Sequence, residues 1–73
     1  MEENVIPIEI EILLKEKFPL TEEILKEDIS VNHIKMFLMD NDVRGKDARK
    51  YAKAYYEKLE IFKHDLEVMG SKS

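Results

Sequence analysis

Cysteine is missing from this 73-residue chain, which excludes disulfides and thiolate metal sites and removes the usual mark of small secreted domains. Glycine occurs twice, at Gly45 and Gly70, so there is no glycine-rich loop able to cradle a phosphate. Proline also occurs twice, at Pro7 and Pro19, leaving everything after residue 19 without a proline break. No long apolar run exists, and the opening Met1-Glu2-Glu3-Asn4 is acidic. A signal peptide and a membrane span are both unsupported, and a cytoplasmic protein is the expectation. At this length the expectation is one domain, residues 1–73, with a limited core that must be stabilised by packing.

What the chain does have is an apolar stripe near its C-terminus: Ala48, Ala52, Tyr55, Leu59, Phe62, Leu66, Met69. Alternating steps of four and three residues keep side chains on one seam of a helix packed against another helix. Gly45 opens the stretch, Gly70 closes it, and neither glycine nor proline falls between. The pattern predicts one long amphipathic helix ending at a glycine cap. Its seam would run for about 33 Å at 1.5 Å per residue, against about 15 Å for a ten-residue helix. Part of it should therefore meet the first helix or a second copy, and a homodimer is expected, with Tyr55, Leu59, Phe62 and Leu66 as its self-association residues.

The first half is built from shorter pieces. Ile6, Ile8, Ile10 and Ile12 alternate like a strand, yet Ile6, Ile10, Leu13, Leu14 and Phe18 share a helical face and Pro7 suits a helix start. A lone strand would need an intermolecular partner, so a helix is the preferred reading, stopped by Pro19. Thr21, followed by Glu22 and Glu23, reads as a helix cap with acids in its first turn and a Leu20–Leu25 staple. Ser30, with an Ile29–Ile34 staple, repeats the signal and predicts a helix over about 31–40. In that helix Ile34, Met36, Phe37, Leu38 and Met39 surround a single Lys35, the pattern of a helix buried on all sides. The other reading makes Met36, Phe37 and Met39 an adaptable partner surface, since methionine repacks easily. Asn41–Gly45 then forms the loop into the last helix, and residues 1–4 and 70–73 are expected to fray. The sum is an all-α, four-helix domain.

Charge is unevenly spread. Residues 1–40 carry four lysines against ten acids, whereas residues 41–64 carry seven bases against four acids. This polarity favours cross-subunit attraction or a basic partner for the first half. Lys46, Arg49, Lys50 and Lys53 line one side of the first half of the last helix, with Arg44 just before and Tyr56 one turn beyond. Phosphate binding needs such a cluster, and a tyrosine can stack on a base. An amphipathic helix also needs a charged outer face, and Lys53–Glu57 makes an ordinary i,i+4 pair.

The segment Ile29-Ser30-Val31-Asn32-His33-Ile34-Lys35-Met36-Phe37-Leu38 resembles the turn and second helix of helix-turn-helix DNA readers. That resemblance implies a reading helix presenting Asn32, His33 and Lys35. Ile24 and Asp28 stand where that family usually has a small residue and the turn glycine. Val43-Arg44-Gly45-Lys46 is distantly similar to SAP-type DNA modules, out of phase in the second helix. Neither likeness assigns a family.

Catalytic and metal chemistry find little support. Glu60, His64 and Glu67 follow one another at helical spacing, as exposed helix surfaces commonly do. His33 could serve a nucleophile only through Ser30, which capping already occupies. Glu9/Glu11 and Glu22/Glu23 read as exposed acids. No enzyme, cofactor or metal is expected. The sequence points to a non-enzymatic helical interaction or regulatory module that self-associates through its last helix. The alternative is a small DNA-binding protein with a degenerate helix-turn-helix and a basic patch.

Overall fold

The computed structural model describes residues 6–71, which hold four helical segments and no strand. These are α1, Ile8–Lys17; α2, Glu22–Leu25; α3, Val31–Asp40; and α4, Gly45–Ser71. The protein is all-α, although α2 amounts to a single turn. At 1.5 Å per residue a 27-residue helix is about 40 Å long, close to the molecule's greatest extent of 43 Å. The last helix therefore sets the long axis, and the other three pack along part of it.

The ambiguous first segment is a helix, entered through Pro7 as its N-cap. Val5, at the edge of the alternative strand reading, lies outside the described residues, as do residues 1–4 and 72–73. Ile6, Leu14 and Phe18 are buried and Ile10 and Leu13 half-buried, the face expected for a helix. The Phe18 N–H closes the last turn on the Leu14 carbonyl at 2.7 Å, and Pro19 then directs the chain out of helix.

Both predicted caps are formed. Thr21 Oγ1 accepts from the Ile24 N–H at 3.4 Å. Ser30 Oγ accepts from the His33 N–H at 3.4 Å, while His33 Nδ1 accepts from the Ser30 N–H at 3.1 Å. This is a reciprocal capping box with histidine in the place usually held by glutamate.

The turn from α3 to α4 is a Schellman motif. The Val43 N–H reaches the Leu38 carbonyl and the Asp42 N–H the Met39 carbonyl, each at 3.1 Å. Asp42 occupies the left-handed position at φ 67°. Asn41 Nδ2 adds a bond to the Phe37 carbonyl at 2.9 Å. With its last carbonyls satisfied, α3 reverses directly onto α4, whose facing residues Ala48 and Ala52 are small and fully buried. Small side chains let the two helix backbones approach closely.

Two expectations need correction. The third helix is not buried on all sides: Ile34 and Leu38 are fully buried, but Met36 and Met39 are exposed. Among the described residues, α4 and the end of α1 cover α3 and leave its remaining faces open. Gly70 does not terminate α4, because the helix continues to Ser71 and no glycine has positive φ. Glycine permits a left-handed cap without requiring one.

The buried core comprises Ile6, Leu14, Phe18, Ile24, Ile34, Leu38, Ala48, Ala52, Ala54, Tyr55 and Leu59. No buried side-chain polar atom among the described residues lacks a partner. No helix among the described residues is long and apolar enough to cross a membrane.

Candidate functional site

Three surfaces remain once the core is accounted for, and the seam of α4 divides between core and surface. Its first four positions, Ala48 to Leu59, are buried within the chain. Tyr55 is fully buried, and its hydroxyl donates to the Phe18 carbonyl at 2.5 Å. Burial, with a smaller contribution from the Glu11 charge, raises its pKa to about 12. Tyr55 and Leu59 are therefore core residues, Tyr55 tying α4 to the end of α1 and Leu59 lying beside Ile24 and Leu25 of α2, a correction to their expected place at a subunit contact. The reason is that α2, α3 and the end of α1 close on the turns of α4 that the seam had reserved for a partner. A Lys58 Nζ–Glu11 Oε2 ion pair at 3.0 Å fastens α1 to α4 from outside, and Lys15 joins Glu11 at 3.4 Å. The Lys58 hydrogen bond and charge, then the Lys15 hydrogen bond, hold the Glu11 carboxyl below its ordinary value.

The first surface begins where that core ends. Beyond Leu59, Phe62 and Leu66 are half-buried and Ile61, Val68 and Met69 are exposed. Phe62, Leu66 and Met69 continue the seam; Ile61 and Val68, seven residues apart, stand on the other side of the helix. Glu60, on the same stretch, lies close enough to the Tyr56 phenol to raise its pKa, by accepting its proton in a hydrogen bond and by its charge.

The second surface is a groove of about 510 Å3 between the end of α1, the α2–α3 connection and the outer face of α3. Its apolar wall includes Phe18, Ile29, Met36 and Phe37. The Phe18 and Phe37 rings meet edge to face, with centroids 5.7 Å apart and planes at 87°, a favoured aromatic arrangement. Glu27, Asp28 and Asp40 supply three carboxylates against the single ammonium of Lys17, and His33 completes the lining. Met36 and Phe37, proposed from sequence as a partner surface, are thus brought together. Met39 points elsewhere, toward α4, where its methyl lies 3.9 Å from the Cβ that a side chain at Gly45 would carry.

The third surface is the basic run. Arg44, just before α4, and Lys46, Arg49, Lys50 and Lys53 on its first half are all exposed, and no ion pair engages them among the described residues. At 100° per residue, Lys46, Arg49, Lys50 and Lys53 fall within about a third of the helix circumference. The helix-turn-helix likeness places less at the surface than its sequence implied. Asn32 is exposed, but Lys35 is half-buried and His33 is held in the capping box.

Ser30 Oγ and His33 Nδ1 are 3.2 Å apart, but Nδ1 already accepts the Ser30 N–H and the serine oxygen the His33 N–H. Among the described residues no group of three metal-ligating side chains is gathered. Comparison with protein-family models, curated proteins and solved structures finds no match to this chain.

Sequence reasoning found the caps, the α4 seam and two groove residues. It missed the Glu11–Lys58 pair, the Phe18–Phe37 pair and the carboxylates facing them. All three join residues distant in sequence, and their only trace there was an acidic first half.

Proposed function

We propose that this chain is a non-enzymatic helical interaction module that self-associates through the distal half of α4. One observation carries the reading. α4 runs twelve residues past Leu59, its last buried position, and that extension carries Ile61, Phe62, Leu66, Val68 and Met69. Ile61, Val68 and Met69 on this projecting helix are exposed and Phe62 and Leu66 only half-buried, and a second copy offers an identical surface. Two such helices pairing about a two-fold axis make a self-complementary contact, the commonest form of soluble oligomer. The seam continues the 4-3 spacing of the intramolecular core, so it suits the side-by-side packing of paired helices. The regulatory role and cytoplasmic placement expected from sequence belong to this proposal.

Multi-angle light scattering across a concentration series tests it. A dimer mass is expected at micromolar protein, and a monomer mass for Leu66→Asp/Met69→Asp, whose substitutions lie outside the buried core. A monomeric wild type at its highest soluble concentration overturns the reading.

A second reading rests on Arg44 and the four exposed cations at the start of α4: a nucleic-acid-binding surface. The acidic first forty residues work against it, because they repel the same phosphates. Duplex titration at two salt concentrations decides it, since phosphate neutralisation makes affinity steeply salt-dependent. No saturable binding is expected at micromolar protein in ~150 mM salt, where charges interact over about 8 Å. Tight binding at that salt, lost on replacing Lys46, Arg49, Lys50 and Lys53 by alanine, installs the nucleic-acid reading instead.

A further inference from the structure

We infer that the α1–α3 groove is a docking site for a cationic amphipathic helix of another protein, separate from the distal-α4 contact. The groove continues past Phe37 and Lys17 into a second depression of about 310 Å3 that adds Leu13, Glu16 and Asn41. The two depressions adjoin at Lys17 and Phe37, together form a trough lined by aromatic and aliphatic side chains, and the larger, of about 510 Å3, has room for bulky side chains. Helix-in-groove recognition uses this form, with side chains at i, i+3, i+4 and i+7 entering an apolar channel. Met36, 53% exposed at the rim, supplies an unbranched side chain that adapts to the entering group.

Charge selects the occupant. Glu16, Glu27, Asp28 and Asp40 line the two depressions, with Lys17 as their one ammonium among the described residues. Asp40 is also the last residue of α3, whose final turn carries no base. A carboxylate there adds to the negative end of the helix dipole at a local cost. A lysine or arginine from a docked helix would relieve that cost, whereas an acidic segment would increase it. An apolar stripe flanked by Lys and Arg therefore meets both the floor and the rim. A second copy is a poorer occupant through its projecting helix: between Glu60 and Ser71 that segment carries three acids and one lysine.

The probe is a fluorescein-labelled synthetic helix of Leu and Lys with one Phe anchor, followed by anisotropy in ~150 mM salt. Saturable binding is expected, weakened about tenfold or more by Asp28→Lys/Asp40→Lys and by Met36→Asp. Glu22→Lys/Glu23→Lys makes the same change in net charge outside the trough and should leave the affinity within about twofold. A glutamate version of the peptide should not bind, and a scrambled lysine peptide lacking the stripe should bind at least tenfold more weakly. The proposal is overturned by absent saturation, by equal loss in the control variant, or by equal binding of the scrambled peptide. It is also overturned if Asp28→Lys/Asp40→Lys converts a dimeric protein to a monomer, because the trough would then hold a second copy. Circular dichroism confirms that each variant is folded. Binding retained by Leu66→Asp/Met69→Asp separates this site from the self-association surface.

Discussion

Replacing Tyr55 by phenylalanine removes one oxygen from the centre of the protein and tests how α1 is held to α4. The ring can stay in place, because its burial does not depend on the hydroxyl, but the Phe18 carbonyl loses its phenolic donor at 2.5 Å. Leaving a buried acceptor without its partner costs about 1–3 kcal/mol. In a domain of this size each kilocalorie moves the melting midpoint by about 4–8 °C. The same oxygen carries a pH signature of opposite direction. Buried Tyr55 titrates near 12 rather than at its ordinary 10.0. Below pH 10 the phenol is protonated in both states, and its contribution to stability is complete. Between pH 10 and 12 the unfolded phenol ionises while the folded one keeps its proton, so stability falls as pH rises. A two-unit gap is worth about 3 kcal/mol, similar in size to the hydrogen bond. The variant should therefore be less stable than wild type at pH 7, with the deficit shrinking toward zero by pH 12. Urea denaturation followed by circular dichroism at pH 7, 10 and 11.5 measures both effects. Lysine titration affects the two proteins alike, so their difference isolates Tyr55. Equal stability at pH 7, or a deficit that stays constant through the alkaline range, would refute the buried donor.

Leu59→Ala and Phe62→Ala, neighbours on one seam, should separate. The first should lose about 2–5 kcal/mol as a core truncation, and the second should lose much less stability while lowering the association constant seen by light scattering. Equal losses would mean that the core extends past Leu59. Gly45→Ala should stabilise by up to about 1 kcal/mol, since Gly45 is helical, has no positive φ and faces only Met39 at 3.9 Å; a lower melting temperature would contradict that packing. Glu11, its pKa held down chiefly by Lys58, stabilises the fold above its unfolded pKa near 4.5, and the gain is lost as pH falls through the lower folded value. Glu11→Gln should accordingly flatten the acid limb of stability against pH, and an unchanged limb would remove the ion pair from the account.

The parts legible in the sequence are those written in short-range chemistry. Thr21 and Ser30 announce their helices because a side-chain oxygen three residues before an orphan N–H is a local device. The α1 face and the α4 seam follow from helical spacing in the same way. Spacing cannot say what a seam touches. Tyr55 and Leu59 read as dimer residues because the packing of the earlier helices on α4 depends on contacts across 37 and 47 positions, Phe18 with Tyr55 and Glu11 with Lys58. Lys58, off the stripe, looks like solvated surface in one dimension and is a fastening in three. Gly70 misled for a different reason: a residue that tolerates a cap was read as one that makes it. In the groove, Met36 and Phe37 were visible as surplus apolar residues on a short helix. Asp28 and Asp40 were not, since nothing local distinguishes them from other acids.

The same division between near and distant contacts sets the order in which the protein comes together and apart. α3 and α4 are consecutive, joined by a four-residue reversal that satisfies its own carbonyls, so they can zip into a hairpin with little loop to close. α1 must find that hairpin across a much longer loop, and it is retained by the burial of Leu14 and Phe18, by one phenol and by one ion pair. The chain is expected to form the α3–α4 hairpin early and to seat α1 last. In the native state, the easiest excursion is the reverse: α1 lifts off while the hairpin persists. Amide exchange should then be faster in Ile10–Leu14 than in Ile34–Leu38, and uniform protection across both helices would contradict this order. Because Phe18 and Phe37 sit on opposite sides of that seam, each such opening also parts the floor of the groove. A ligand lodged there would act as a latch, slowing exchange in α1 without touching most of its amides.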